Sequence, residues 1–346
     1  MAPAQPDNMK ITLSDGTGWD EYVVRHPGSF FYHLYGWGRA IEEVFGFKKL
    51  YLEAQDGAVI RGVLPLVLVE TILGRKLVSI PIGVYAGAIA DDEPTAGALI
   101  KRAIALSQEH GCDYLELRNM ARAGDDLPSK ELYVTFIKPL PVRAEECLER
   151  IPRKARAEIR HAIDKGLTYE TGLRYLEECY RIYAINQRYL GSPVVSKKWF
   201  VKLAEVFKDT TDILVVKAGG RCIAAVLTFF CKDTVLPFYG GVLPGCERYS
   251  PSNFMYLKLQ EYGVAKGCKY FDFGRSRKGA GSYHFKMHQG FEPIQLYYQY
   301  YLNKAKAIPD ISPSNKGFDA AKNVWRHLPL PLTNALGPAI FKYVMP

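Results

Sequence analysis

The sequence predicts an α/β protein made of two tandem units, each with a mixed central sheet. Three observations predict it. Two segments return in the same order about 160 residues later, as a duplicated unit would require. GCDYLEL at 111–117 comes back as GCKYFDF at 267–273, and DGAVIRGVLPL at 56–66 as GGRCIAAVLTF at 219–229. Within each copy, helical and extended hydrophobic patterns alternate, which is the signature of mixed α/β layers. The length of 346 residues leaves room for two cores.

Taken in order, residues 1–10 read as a disordered lead-in. Gly36–Phe45 reads as a helix, with Trp37, Ile41 and Val44 at helical spacing. AIEEVF at 40–45 is echoed by AEVF at 204–207. Residues 48–54 and 60–70 read as strands joined at Asp56-Gly57, a hairpin signal. Residues 79–90 read as a further extended stretch, and 95–110 as an amphipathic helix that Gly111 ends. Residues 112–117 form the next strand, apolar on both faces as a covered central strand would be, and 132–137 another. The KPLP run at 138–141 cannot continue a regular element, so the domains are placed at 10–140 and 141–305, with a tail at 306–346.

The second unit opens with a predicted helix over 151–166. Ile151, Ala155, Ile159, Ala162 and Ile163 form its apolar stripe, and Arg153, Arg156 and Arg160 stack on a neighbouring face. At the junction of two units, this arginine row is a candidate phosphate-binding element. The tail, ending in WRHLPLPLTNALGPAIFKYV, is expected to pack on the second domain. Its other reading is a membrane-surface segment contacting lipid through Trp325, Leu328, Leu330, Leu332 and Phe341.

Composition narrows the partners. The net charge of +9 favours anionic substrates or surfaces. Seven cysteines, at 112, 147, 179, 222, 231, 246 and 268, contain no CxxC pair, which fits reduced thiols in a cytoplasmic protein. The N-terminus lacks the pattern of a secretion signal, and no apolar run approaches the roughly 20 residues of a membrane span.

The chemistry concentrates in GCKYFDFGRSRKGAGSYHFKMHQGF, residues 267–291. Residues 268–273 read as a short buried strand that Asp272 interrupts, and a carboxylate there needs a polar cavity or a partner. From Gly274 to Ser282 the chain carries three glycines, Ser276, Ser282, Arg275, Arg277 and Lys278, with no acid. Backbone N–H groups at Gly279 and Gly281 beside such cations suit an anionic ligand or an oxyanion. Tyr283 and Phe285 read as a further strand, followed by Lys286. Glu116 stands in the first copy where Asp272 stands in the second, but RNMARAGDDLPSK follows it, richer in acid and poorer in glycine. The second copy is therefore expected to be active and the first structural.

Other chemistries fail on spacing. Gly279 is followed by Ala280 where a P-loop needs lysine, no GxGxxG opens a helix, and no serine sits in a GxSxG elbow. His284 and His288 lack a cysteine or carboxylate cluster, so no metal is expected.

FDFGRSRKGAGSYHFKMHQGFEP, with RKARAEIRHAIDKGL and the closing WRHLPLP and LGP, resembles the FemAB-like proteins associated with exosortase and PEP-CTERM loci. These are relatives of the Fem peptidyltransferases and of the acetyltransferase-like domain of cellulose and exopolysaccharide clusters. The resemblance spans nearly all of residues 10–346. Tyr283, Phe285, Lys286, Gly290 and Phe291 stand in the Fem pattern of Tyr/Phe-x-Phe-Lys-x-x-x-Gly-Phe. It implies two tandem GNAT-like domains and transfer of an acyl or aminoacyl group to an amine, in a cell-envelope or exopolysaccharide setting. One departure bears on the donor. GNAT acetyltransferases hold the coenzyme A pyrophosphate with a Q/R-x-x-G-x-G/A loop, and here that place is LPGCERYSPSNFMY, where Tyr249, Ser250 and Pro251 follow Arg248 in place of the glycines, although a helix N-terminus at Ser250 to Asn253 could still hold an anion. Acyl-CoA and aminoacyl-tRNA both remain candidate donors, and the missing loop favours the second, or a thioester held differently.

The mechanism expected on this basis is an amine attacking an ester or thioester carbonyl in the second domain. Lys286 is the candidate oxyanion stabiliser, Asp272 the group that orients or deprotonates the amine, and Tyr239, before Gly240-Gly241, a proton shuttle. Arg275, Ser276, Arg277, Lys278, Gly279, Gly281, Ser282 and Tyr283, with the arginine row, are the candidate substrate-binding residues. Phosphate- or lipid-linked substrates and tRNA are the expected partners, and peripheral contact with the inner face of the membrane would come through the tail. The alternative is a non-catalytic module that binds an anionic glycan or lipid-linked intermediate.

Overall fold

The computed structural model describes residues 9–124, 126–309 and 319–344. The first half runs β1 (Met9–Leu13), α1 (Trp19–Arg25), α2 (Tyr35–Phe45), β2 (Lys48–Lys49), β3 (Leu52–Asp56), β4 (Val59–Leu64), β5 (Val67–Thr71), β6 (Gly74–Val78), β7 (Ile89–Ala90), α3 (Glu93–Glu109), β8 (Tyr114–Asn119) and β9 (Ser129–Lys130). Next come β10 (Tyr133–Thr135), β11 (Ile137–Pro139), α4 (Arg153–Asp164), β12 (Thr168–Thr171), α5 (Leu176–Leu190), α6 (Lys197–Val206), β13 (Thr211–Ala218), β14 (Arg221–Cys231) and β15 (Thr234–Val242). The chain ends with α7 (Pro251–Ala265), β16 (Tyr270–Asp272), β17 (Ser276–Arg277), α8 (Gly281–His288), β18 (Ile294–Gln295), β19 (Tyr297–Leu302), α9 (Asp319–His327) and α10 (Leu330–Val344).

The contacts divide the chain into two units. Among the described residues, the first is drawn from 9–133, 295–309 and 342–344, the second from 134–294 and 319–341. The first unit's larger sheet has the order β2-β5-β6-β8-β19-β9, and a smaller one runs β1-β3-β4-β7. The second unit's sheet runs β11-β16-β15-β14-β13-β12. Both large sheets are mixed: β6 pairs parallel with β8, and β15 parallel with β16, while β19 on β8 and β11 on β16 are antiparallel.

The repeat read in the sequence is a repeat of structure. Helix α2, hairpin β3–β4, helix α3 and strand β8 have counterparts in α6, β13–β14, α7 and β16. The helix-to-strand turn is the same in both. Gly111 (φ 59) and Gly267 (φ 82) occupy the left-handed region where glycine is unstrained. Cys112 N donates to Ser107 O and Cys268 N to Gly263 O, each at 2.9 Å. This local cap closes the last carbonyls of each helix and aims the following strand back over it.

Four readings of the sequence are corrected. Of the extended stretch at 79–90, only β7 is strand; Ile80 and Ile82 adopt positive φ and fold the segment back. The residues around Tyr283 and Phe285 form helix α8, not a strand. A run this short has no decisive period, and the two rings flank a helix whose buried side chain is Lys286. Ile163 is 45% exposed and leaves the α4 stripe, which is Ile151, Ala155, Ile159 and Ala162. Of the expected lead-in, residues 1–8 lie outside the described residues, and Met9 and Lys10 begin β1.

The tail helices pack on the second unit. The Arg188 guanidinium donates to Leu328 O at 3.2 Å, and a Cβ at Gly337 would lie 2.7 Å from the Val194 side chain, so the two backbones meet closely. Leu332, Leu336 and Ile340 remain exposed. No helix among the described residues is long and apolar enough to cross a membrane.

Candidate active site

The site begins with a strand that loses its neighbour. β15 pairs with β14 along its whole length, yet it meets β16 only at Thr234–Tyr270 and Val235–Phe271. The register shifts where Leu227 faces Tyr239 and Thr228 faces Pro237, so Phe238 bulges. A bulge adds local twist and turns the strand away from its partner. Beyond it, a cavity of about 560 Å³ opens beside Gly240, Gly241 and Val242. Its other walls are the first turn of α7 (Ser250 to Asn253), Asn186, Tyr189 and Leu190 of α5, Tyr256, and Phe285 of α8.

The two glycines have separate reasons. A Cβ on Gly241 would lie 3.1 Å from Asn186 Cβ and 3.2 Å from Tyr183 Cα, because β15 rests directly on α5. One on Gly240 would lie 3.3 Å from the Tyr256 hydroxyl and narrow the cavity. The strand thus offers backbone rather than side chains to whatever enters.

The start of α7 is unusual for an anion site. Its N-cap, Ser250, sits at φ 48 and makes no side-chain cap. Pro251 follows and has no N–H to offer. The Ser250 hydroxyl instead donates to the Glu158 carboxylate, which arrives from α4. Glu158 and Glu247 both line the cavity, and its lining includes no Lys, Arg or His. A coenzyme A diphosphate needs free N–H groups or cations. Pro251 leaves only the Ser252 and Asn253 N–H groups of the first turn to meet it, and two carboxylates of the lining oppose it.

The Gly274–Ser282 turn leads into α8, whose Phe285 lines the cavity; Asp272, Lys286, Tyr239 and the residues of the turn itself are not among the lining residues. Lys286 projects from α8 into the protein, 7% exposed, and its ammonium donates to Gly274 O at 2.8 Å and Arg275 O at 3.1 Å. The Phe136 and Phe273 rings lie 5.4 and 5.3 Å away. Burial pulls its pKa from 10.5 down to about 7, with Asp272 opposing the shift and Arg275 adding to it. Asp272 is also buried, accepting from Thr135 Oγ1 at 3.1 Å and from Gly274 N at 2.9 Å. The carboxylate thus ties the first residue of the turn, Gly274, to Thr135 of β10.

The structure gathers Asp272, Gly274, Arg275 and Lys286 at one point. Ser276 is buried, and its hydroxyl finds no partner among the described residues. Arg277 is half-buried, Tyr283 packs edge-on to Phe136 at 5.6 Å, and Lys278, Gly279, Gly281 and Ser282 are exposed. Arg153 and Arg160 are exposed on α4 and Arg156 half-buried; none of them lines the cavity, whereas Glu158 of the same helix does. The Tyr239 hydroxyl accepts from Trp199 Nε1 at 2.9 Å, its ring stacks on Phe200, and burial raises its pKa well above 10. Among the described residues no His, Cys, Asp and Glu cluster is placed to hold a metal. None of the seven cysteines is joined in a disulfide.

The corresponding place in the first unit is closed by its own chain. Ser79 N donates to Glu116 O and Ala86 N to Arg118 O, which extends pairing along β8 past the end of β6. The Arg118 guanidinium fills the gap, 2.8 Å from Glu116 and 2.9 Å from Gly83 O.

Sequence reasoning missed Glu158, Glu247, Asn186 and Tyr189. Glu158 carried a faint signal as an acid set among the three arginines of one helix; the others had none.

Residues 152–287 match the acetyltransferase (GNAT) domain family. The fold is similar to the crystal structure of FemX, with a TM-score of 0.67 at 13% identity, covering 85% of this chain and 98% of that one. It is similar to the C-terminal domain of a putative lysylphosphatidylglycerol synthetase from Agrobacterium fabrum (TM-score 0.53, 14% identity, 82% of this chain and 91% of that one). A tandem GNAT protein from the clavulanic acid biosynthesis pathway is a third likeness (0.52, 10%, 84% and 97%). At such identities the likeness is one of fold: two tandem GNAT-like α/β domains with mixed sheets. No curated protein matches the chain in sequence.

Proposed function

We propose that this chain is an N-acyl or N-aminoacyl transferase whose chemistry takes place in the second unit. The observation that carries the reading is the parting of β15 from β16 after Val235, followed by the bulge at Phe238. It leaves strand backbone facing a cavity within the segment that matches an acetyltransferase domain. The unpaired edge of β15 would hold the donor's chain by main-chain hydrogen bonds. In the reaction an acceptor nitrogen bonds to the donor's carbonyl carbon, the carbon's bond to the leaving oxygen or sulfur breaks, and the amine's proton passes to the leaving group.

Each residue then has a role. Two of the three Lys286 donors are taken by Gly274 O and Arg275 O, and the third is assigned to the developing oxyanion. Asp272 keeps that ammonium charged enough to act. Tyr239 is the proposed proton shuttle; burial raises its pKa well above 10, so its hydroxyl can relay a proton only by accepting one as it gives one up. Arg275 and Arg277, with the exposed N–H groups of Gly279 and Gly281, would meet a phosphate of donor or acceptor. The first unit, with its cleft filled by Arg118, serves as support. An acyl donor carried on tRNA suits the missing glycine loop, and the FemX and lysylphosphatidylglycerol synthetase likenesses support a cell-envelope acceptor, whether exopolysaccharide or lipid-linked.

The test is product formation. The full chain is incubated with aminoacyl-tRNA or acyl thioesters and with amine-bearing glycans or lipid headgroups, and acceptors are weighed by mass spectrometry. An acyl-sized mass gain on an acceptor supports transfer. Binding of the anionic acceptor without any mass gain from any donor would favour the non-catalytic module instead.

A further inference from the structure

We infer that Glu158, aided by Glu247, is a specificity-determining residue that shuts coenzyme A out of the cavity. The inference rests on the reading of that cavity as the donor site. Three observations carry it. The place where a diphosphate would meet the first turn of α7 begins with Ser250, in a left-handed conformation without a side-chain cap, and with Pro251, which has no N–H. The Ser250 hydroxyl is committed to the Glu158 carboxylate. The cavity lining, in a protein of net charge +9, carries two carboxylates and no cation.

A carboxylate near the positive end of a helix stabilises it just as a ligand phosphate would. Glu158 therefore supplies from within the chain the negative charge that a coenzyme would bring, and it repels a second one. Its position on α4 is held by the packing of Ala155 and Ile159 against Leu257 of α7, so the carboxylate belongs to the wall and not to a swinging loop.

The experiment is calorimetric titration of the full chain with coenzyme A, beside Glu158→Gln and the double variant Glu158→Gln/Glu247→Gln. Glutamine keeps an oxygen to accept from Ser250 and removes only the charge. The wild type is expected to bind coenzyme A more weakly than about 1 mM, with affinity rising about tenfold for each carboxylate neutralised. Added salt should weaken the repulsion and narrow the gap between the proteins. Tight 1:1 binding by the wild type, or a double variant that folds with an unchanged melting temperature yet binds no better, overturns the inference. Coenzyme A binding is read without turnover. A failure to find any acyl acceptor would strike the proposed reaction and leave this result standing.

Discussion

The ammonium of Lys286 lies 2.8 Å from the carbonyl oxygen of Gly274, twelve residues earlier in the chain. That contact turns α8 into a clamp on the glycine-rich turn, and it buries an amine with a pKa of about 7 one residue along the chain from Phe285 of the cavity wall.

Lys286→Met should lower the transfer rate about 100- to 1000-fold, the usual cost of losing a charged oxyanion donor. A steady-state assay with the donor and acceptor found by mass spectrometry measures it. Turnover within threefold of wild type would remove Lys286 from the mechanism.

The same lysine makes stability depend on pH. Its folded pKa, about 7, is below its ordinary 10.5, so between these values the unfolded chain binds more protons than the folded one. Stability should rise as pH climbs from about 7 toward 10, and the burden of the buried charge should be fully present below 7. Urea midpoints for wild type and Lys286→Met, measured across that range, are expected to converge at the alkaline end. Parallel curves would mean that the amine titrates normally.

Asp272→Asn keeps hydrogen-bonding capacity for Thr135 but removes the charge that supports the Lys286 ammonium. The lysine's pKa should fall further, visible as a downward shift in the alkaline limb of the pH–rate profile, where the ammonium is lost, or in the lysine's carbon NMR titration. An unmoved titration would show that Asp272 acts on the turn's geometry alone.

Gly240→Val should raise the donor's KM by about tenfold or more, because its side chain would crowd the Tyr256 hydroxyl across the cavity. Gly241→Ala should instead cost about 1–3 kcal/mol of stability, by forcing β15 off α5. Kinetics and thermal melts on the two variants separate the effects, and identical behaviour would contradict the cavity's placement.

In the first unit, Glu116→Gln leaves Arg118 buried without its charged partner and should cost about 3–5 kcal/mol in denaturant unfolding. The folded fraction should transfer acyl groups at the wild-type rate. A loss of turnover with unchanged stability would assign the first unit a direct part.

Much of the fold was legible because it is written locally. The α3 and α7 helices announce themselves by period and by Gly111 and Gly267, and the hairpins by their turn residues. Helix α8 was not, since two aromatics separated by one residue suit a strand as well as a helix. The site was half legible. The cations, glycines and Asp272 pointed to the 267–291 stretch, but the cavity depends on Phe238 bulging out of register and on Glu158 reaching Ser250, neither of which leaves a trace in spacing.

By itself the sequence determined the duplication, the order of helices and strands within each copy, and the choice of which copy carries the glycine-rich turn. Those depend on contacts between residues a few positions apart. Only the tertiary structure decided which strand covers each exposed edge, with β19 returning to β8 and β11 lying on β16. It also decided the chemistry of the key groups. Asp272 finds Thr135, 137 positions away in the chain, and Lys286 loses its ordinary basicity only because folding surrounds it with Phe136 and Phe273 and strips away its water.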